Sequence, residues 1–234
     1  MAKLPKPLGV VPLGDLAAYV EFSRTLDLGI NSVAQRLAAA IVARAVPGIR
    51  DVVPALGGVA LHFDPGFDGD VVKTAAELVE LCMKKGLPDL DDLGREVEVP
   101  VCYDAEFALD MGDIVQRLKM SSEEIAKRHT AGEYRVLMVG FSPGHPYIGG
   151  LDPKLAVPRR ATPRAIVPAG SVAISNEQTV VYPYSISGGW NVIGRTPLAV
   201  FDTERQEPSL FASGDRVRFK PIDRAEFLKL AVKR

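Results

Sequence analysis

The sequence predicts an α+β chain, with a small α/β part first and a barrel or sandwich of short strands after it. Two observations carry this reading. Helical periodicity, with apolar residues at i, i+3 and i+4, is concentrated in about the first 90 residues, where it alternates with strand-like runs. From Tyr134 onward ten prolines and nine glycines punctuate short β-type runs, the pattern of tightly turned antiparallel strands. A chain of 234 residues and 25.2 kDa buries roughly 70% of its open-chain surface on folding, enough for a core in each part.

The elements follow in order. Ser32 with Gln35 three positions later forms a capping-box signature, after which Val33, Leu37, Ala40 and Ile41 recur at helical spacing until Pro47-Gly48 stops the helix. Val52-Val53-Pro54 and residues 59–63 read as strands around Gly57-Gly58. Val72, Ala75, Ala76, Val79, Cys82 and Met83 line one face of a second helix, ended by Gly86-Leu87-Pro88. Residues 88–96 are acidic and rich in turn formers, which marks a linker and a boundary between residues 1–96 and 97–234. Val97, Val99 and Val101 then alternate as a strand, helices are predicted over 110–119 and 122–131, and Ser121 with Glu124 makes a second capping box.

Composition excludes several classes. With 47% hydrophobic and 24% charged residues the chain is neither disordered nor collagen-like. Twenty-eight basic residues against 29 acidic ones leave a net charge of −1, which does not advertise a nucleic-acid partner. Cys82 and Cys102 build no disulfide framework and no zinc spacing, so a reducing cytoplasm is expected. No 18-residue apolar stretch predicts a membrane span, and Pro7 and Pro12 interrupt the only run resembling a signal peptide.

Charge is informative locally. Between residues 153 and 201, Lys154, Arg159, Arg160, Arg164 and Arg195 face the single acid Glu177, a setting that either binds an anion, or forms a solvated basic face or ion pairs with the acidic first half. Residues 140–144 match G-x-S-x-G, yet Pro143 lacks the N–H that an oxyanion hole needs and pushes Ser142 out of helical conformation. His129 falls near a helix C-terminus, where the macrodipole favours a protonated ring; it is a candidate acid–base group or simply a helix-end residue. His62 and His145 are isolated, so no metal site is predicted. Tyr147, Tyr182, Tyr184 and Trp190 either line a pocket or fill a core. No GxxxxGK[ST] or GxGxxG string is present, so the chain carries no recognisable nucleotide loop of its own.

Seven strings together resemble a known family: GDLAAYVEF, DVVPALGGVALHFDP, VPVCYD, HTAGEYRV, GFSPGHPYIGGLD, VPRRATPRAIVPAGSVAI and QTVVYPYSISGGWNVIGRTPLAVFD. They identify the chain as similar, over nearly its whole length, to the KipI-like proteins, which include the B-type components of bacterial 5-oxoprolinase and proteins labelled allophanate hydrolase subunit 1. The resemblance implies a small N-terminal α/β domain and a C-terminal cyclophilin-like β-barrel. It implies two 5-oxoprolinase partners, a KipA-like C component and a LamB/YcsF-type A component, with which the chain opens 5-oxo-L-proline to L-glutamate at the expense of ATP, being inactive alone. ATP enters as co-substrate of the complex. Carried onto this sequence, the site residues are His129 as the catalytic group and Arg159, Arg164, Gln178, Tyr182 and Arg195 as substrate or anion binders. The same resemblance admits two alternatives: an inhibitor of a sporulation histidine kinase, as in KipI, and an allophanate hydrolase or carboxyltransferase-type component. The chain departs from the family pattern at His145, where an aromatic residue is common, and at Ile186, where proline is.

Overall fold

Two aspartates set where the first two helices begin. In the computed structural model, which describes residues 4–232, the N-terminal part contains β1 (Gly9–Pro12), β2 (Ala17–Glu21), α1 (Leu28–Val42), β3 (Ile49–Pro54), β4 (Gly58–Phe63) and α2 (Val71–Lys85). Asp27 accepts the Ile30 N–H at 3.0 Å and caps α1, while Asp70 accepts from Val72 and Lys73 and caps α2. The cap expected at Ser32 is therefore corrected: Ser32 lies inside α1, which begins a turn earlier. Gln35, read as half of that capping box, instead donates to the buried Asn31 side-chain carbonyl at 2.8 Å, one helical turn back. The strands pair antiparallel in the order β1-β2-β4-β3. Leu37 and Ile41 of α1 and Leu78 and Val79 of α2 bury against Val20, Val59 and Leu61 of that sheet. The chain divides into compact units at Met1–Gly94 and Arg95–Arg234.

The second unit holds β5 (Glu96–Val101), α3 (Met111–Leu118), α4 (Ser122–Thr130), β6 (Tyr134–Val139), β7 (Pro146–Gly149), β8 (Arg164–Val167), β9 (Ser171–Ser175), β10 (Gln178–Val181), β11 (Ile186–Gly188), β12 (Asn191–Arg195), β13 (Arg216–Pro221) and α5 (Arg224–Ala231). Seven of these strands form one sheet in the order β12-β9-β10-β7-β6-β13-β5, antiparallel except for the parallel pair β13·β5. The sheet curls until its two edges meet: just beyond β5, Cys102 exchanges both backbone hydrogen bonds with Arg195 of β12, each 2.9 Å long. Gly194 sits at this seam because a Cβ there would stand 2.8 Å from the Cys102 carbonyl oxygen. The fold predicted from sequence, an α+β chain ending in a mostly antiparallel barrel, is the fold observed. Among the described residues, no helix is long and apolar enough to cross a membrane.

Strand alternation sorts side chains between two cores. On β10, Thr179 and Val181 point into the barrel, where Val181 joins Val99, Ile148, Ile174, Ile193 and Phe219 beneath Ile114 of α3 and Ile125 of α4. Gln178 and Val180 share the other face, and Tyr182 continues it. There Val180, Tyr182, Ala173, Trp190 and Val192 form a second apolar cluster that includes Val167 of β8 and is flanked by Ile186 of β11.

Candidate functional site

His129 belongs to the barrel interior. Ser121 caps α4 by accepting the Glu124 N–H at 3.2 Å, as its sequence signature predicts, and the helix delivers His129 in its last turn. The ring is fully buried against Phe219, with centroids 4.5 Å apart. Its nitrogens bond to Tyr103 Oη at 2.7 Å through Nδ1 and to Thr179 Oγ1 at 3.1 Å through Nε2. Thr179 donates its own hydroxyl proton to the Ala173 carbonyl, so it accepts from His129 Nε2–H, which leaves Nδ1 to accept from Tyr103. The network thus closes with a neutral imidazole. The protonated ring expected from the helix terminus is corrected: burial pushes the His129 pKa down to about 3, because desolvation of a fully enclosed cation outweighs a helix-end effect of at most about 2 kcal/mol.

The other face of the sheet carries an aromatic and polar cluster. His145 stands 5.3 Å from Tyr182 and 5.2 Å from Tyr147, ring centre to ring centre, and Tyr147 lies 6.1 Å from Trp190. Arg159 places its guanidinium 5.5 Å from the centre of the Trp190 ring, a cation–π geometry. Burial lowers the His145 pKa to about 4, so this ring too is neutral near pH 7, and burial raises the Tyr182 hydroxyl to about 12. Tyr182 packs under Gly188, where any Cβ would overlap its hydroxyl.

Several polar atoms on this side are buried without a hydrogen-bond partner: Gln178 Nε2, Ser175 Oγ, His145 Nδ1 and Ser142 Oγ. Gln178 and Ser175 are register partners on β10 and β9, flanking the two-residue turn Asn176-Glu177. Ser175 and Gln178 lie at the Trp190 end of this face, and His145 and Ser142 at the Tyr182 end; unsatisfied buried groups are costly, and each pair fits a ligand that supplies the missing partners.

The residues singled out from sequence fall into separate groups. Arg159, Tyr182 and Gln178 lie on the aromatic side of the sheet. Arg164 is engaged by Asp110, which accepts two bonds of 2.7 Å from its guanidinium, a third from Arg160 and a fourth of 2.7 Å from the Val192 N–H. Arg195 donates through Nε to the Ala169 carbonyl at 2.7 Å. The three guanidinium groups thus have three different partners. Asp110 escapes sequence reasoning, because an aspartate at a helix start reads as a cap. Here its side chain makes no cap bond and is fully buried under two arginines. The signal that points to it is the local excess of arginine, which demands a buried counter-charge.

Comparison with known proteins agrees with this architecture. Residues 8–211 match the family described as carboxyltransferase domain, subdomain C and D. The B subunit of 5-oxoprolinase from Bacillus subtilis is 35% identical over 92% of this chain and 93% of its own length, and that of Escherichia coli O157:H7 is 33% identical over 89% and 94%. Among solved structures, TTHA0988 superposes with a TM-score of 0.76 at 36% identity, covering 88% of this chain, which spans only 40% of that protein. Urea carboxylase of Kluyveromyces lactis shares the fold, with a TM-score of 0.69 at 18% identity over 98% of this chain and 23% of its own. With a family match that spans most of the chain and relatives a third identical over nearly their full length, the chain belongs to the carboxyltransferase subdomain C and D family and, within it, to the group of 5-oxoprolinase B subunits.

Proposed function

We propose that the chain contributes part of the active site of an ATP-dependent 5-oxoprolinase and is inactive until its partners, a KipA-like C component and a LamB/YcsF-type A component, complete that site. The observation that carries this is the pair of buried, unsatisfied polar atoms, Gln178 Nε2 and Ser175 Oγ, on the face that also bears the Tyr147, Tyr182 and Trp190 rings. A five-membered lactam offers one N–H donor and one carbonyl acceptor on a flat ring. Gln178 Nε2 is a donor and Ser175 Oγ, its register partner, either donor or acceptor, so this pair offers a neutral complement to both groups of the lactam. Arg159, which no carboxylate pairs among the described residues, supplies the cation for the anionic part of the reactants.

The chemistry explains why a nucleotide is required. A lactam carbonyl is a poor electrophile, and phosphorylation of its oxygen by ATP, with ADP leaving, makes the ring carbon susceptible to water. Water adds there, the ring C–N bond breaks to an acyl phosphate, and a second water releases phosphate and glutamate. His129, neutral and enclosed, takes the part of a positioning residue that fixes Thr179 within β10. The test is reconstitution: the purified chain alone yields no glutamate from 5-oxo-L-proline and ATP, whereas addition of both partners does. Turnover by the single chain, or none by the complete set, overturns this reading.

A further inference from the structure

A cleft of 640 Å³ opens between α3 and the segment 157–162, lined by Asp113, Ile114, Gln116 and Arg117 on one side and by residues 157–162 and Asn191 on the other. We propose that this cleft binds an oligophosphate, the di- or triphosphate tail of the nucleotide; the oligophosphate follows from the cleft itself, and its identification as a nucleotide rests on the 5-oxoprolinase reading.

Charge is the first argument. Arg117, Arg159 and Arg160 line the cleft, and Arg164 sits behind Arg160 on the same carboxylate. Only Asp110 and Asp113 oppose these four guanidinium groups, so two positive charges remain uncompensated. A single carboxylate ligand leaves half of that excess; a ligand carrying two or more negative charges, as a phosphate or an oligophosphate does, offsets it.

Preorganisation is the second. The Arg160 backbone N–H is tied to the Gly189 carbonyl at 2.8 Å, which holds the segment against the stretch that carries Trp190. One end of the Arg160 guanidinium is fixed on buried Asp110, while its Nε is buried with no partner. Arg159 places its guanidinium over the Trp190 ring, 5.5 Å from its centre. Arginines whose forks are already oriented lose little freedom on binding, and a planar fork suits phosphate oxygens. The volume lies within the range of small-molecule sites.

Position is the third. Arg159 is the guanidinium common to this cleft and the aromatic face. A phosphoryl group bound in the cleft with its terminal phosphorus toward Arg159 meets a lactam carbonyl held beside Trp190. The attacking oxygen forms the new P–O bond as the bond to the leaving ADP breaks, and the guanidinium neutralises the charge that moves across.

The experiment is calorimetric titration of the full-length chain, without partners, with tripolyphosphate at about 25 mM NaCl, where surface charge is weakly screened. Binding is expected, displaceable by ATP and weakened at least tenfold at about 250 mM NaCl. Arg117→Gln, at an exposed position with no described partner, is expected to weaken binding about tenfold, and Arg159→Gln by a similar factor. Arg117→Gln should leave the unfolding temperature unchanged, so its lost binding is not lost folding; Arg159→Gln also gives up the Trp190 contact and is read against that variant. The proposal is overturned by absence of binding at about 5 mM tripolyphosphate, by wild-type affinity in both variants, or by displacement with equimolar acetate. Tripolyphosphate binding that ATP does not displace overturns the nucleotide assignment. Binding by a chain that gives no glutamate with its partners overturns the functional reading and leaves the cleft; activity without binding by the chain overturns the cleft alone.

Discussion

Replacing His129 by glutamine should remove about half of the histidine-linked acid sensitivity of the second unit. Two buried rings contribute, with folded pKa values of about 3 for His129 and about 4 for His145 against 6.5 for a free side chain. The unfolded chain therefore binds more protons than the native one below pH 6.5, and stability falls as pH drops. The contribution is complete above pH 6.5 and is lost progressively toward pH 3 for His129 and toward pH 4 for His145. At pH 5 an unfolded histidine is protonated by about 30 to 1 while the native ring stays neutral, so each costs about 2 kcal/mol relative to pH 8, or about 4 kcal/mol together. His129→Gln loses the bonds to Tyr103 and Thr179 in their present form and starts about 1–3 kcal/mol less stable at pH 8. Its further loss between pH 8 and pH 5, however, should be about 2 kcal/mol smaller than that of the wild type. Urea unfolding at the two pH values, followed by fluorescence of Trp190, the sole tryptophan, reads the unit that contains both rings. An equal pH 8 to pH 5 loss in both proteins would show that His129 is not held neutral in the native state and would refute the burial argument.

Two further outcomes follow from the same geometry. Asp110→Asn leaves two guanidinium groups without their buried carboxylate; because the Arg160 and Arg164 side chains keep 26% and 23% exposure and can relax toward water, the expected loss is about 3 kcal/mol, the lower end for a broken buried pair, measured by urea unfolding against a near-neutral Asp113→Asn control. Gly188→Ala drives a methyl into the Tyr182 hydroxyl, so it should shift the Trp190 emission and reduce turnover of the reconstituted complex, while Gly189→Ala, where a Cβ meets Pro163 no closer than 3.5 Å, leaves both unchanged.

The two-part architecture is legible in the sequence because the signals involved are local: helical stripes in one half, and strands cut by proline and glycine in the other. Asp70, Ser121 and Gly86 act near the positions where pattern places helix ends, whereas Asp27 is hidden because Ser32 and Gln35 match a cap signature one turn too late. The site is legible only in part. Arg159 stands out by the local arginine excess and Tyr182 by its aromatic, glycine-rich stretch, whereas Gln178 is reached only through the family resemblance; all three fall on the aromatic side. The partners of Arg164 and the environment of His129 depend on contacts across 54 and 50 positions, which no window of sequence contains. For His129 the local rule, a cation at a helix C-terminus, is outweighed by burial that only the closed barrel creates.

The seam of the barrel also sets an order of events during synthesis. The first strand of the barrel finds its parallel partner 120 positions later, where Glu96 meets Arg216, and its continuation meets β12 through Cys102 and Arg195. Until those late residues emerge, the early strand has neither neighbour, and its row of open N–H and C=O groups is a template for any passing strand. Charged residues along it blunt that hazard: Glu96 and Glu98 alternate with Val97 and Val99, and Pro100 removes one donor. Barrel closure is accordingly a late, long-range event, and a chain stalled before residue 216 lacks β13 and leaves the facing edges of β5 and β6 open.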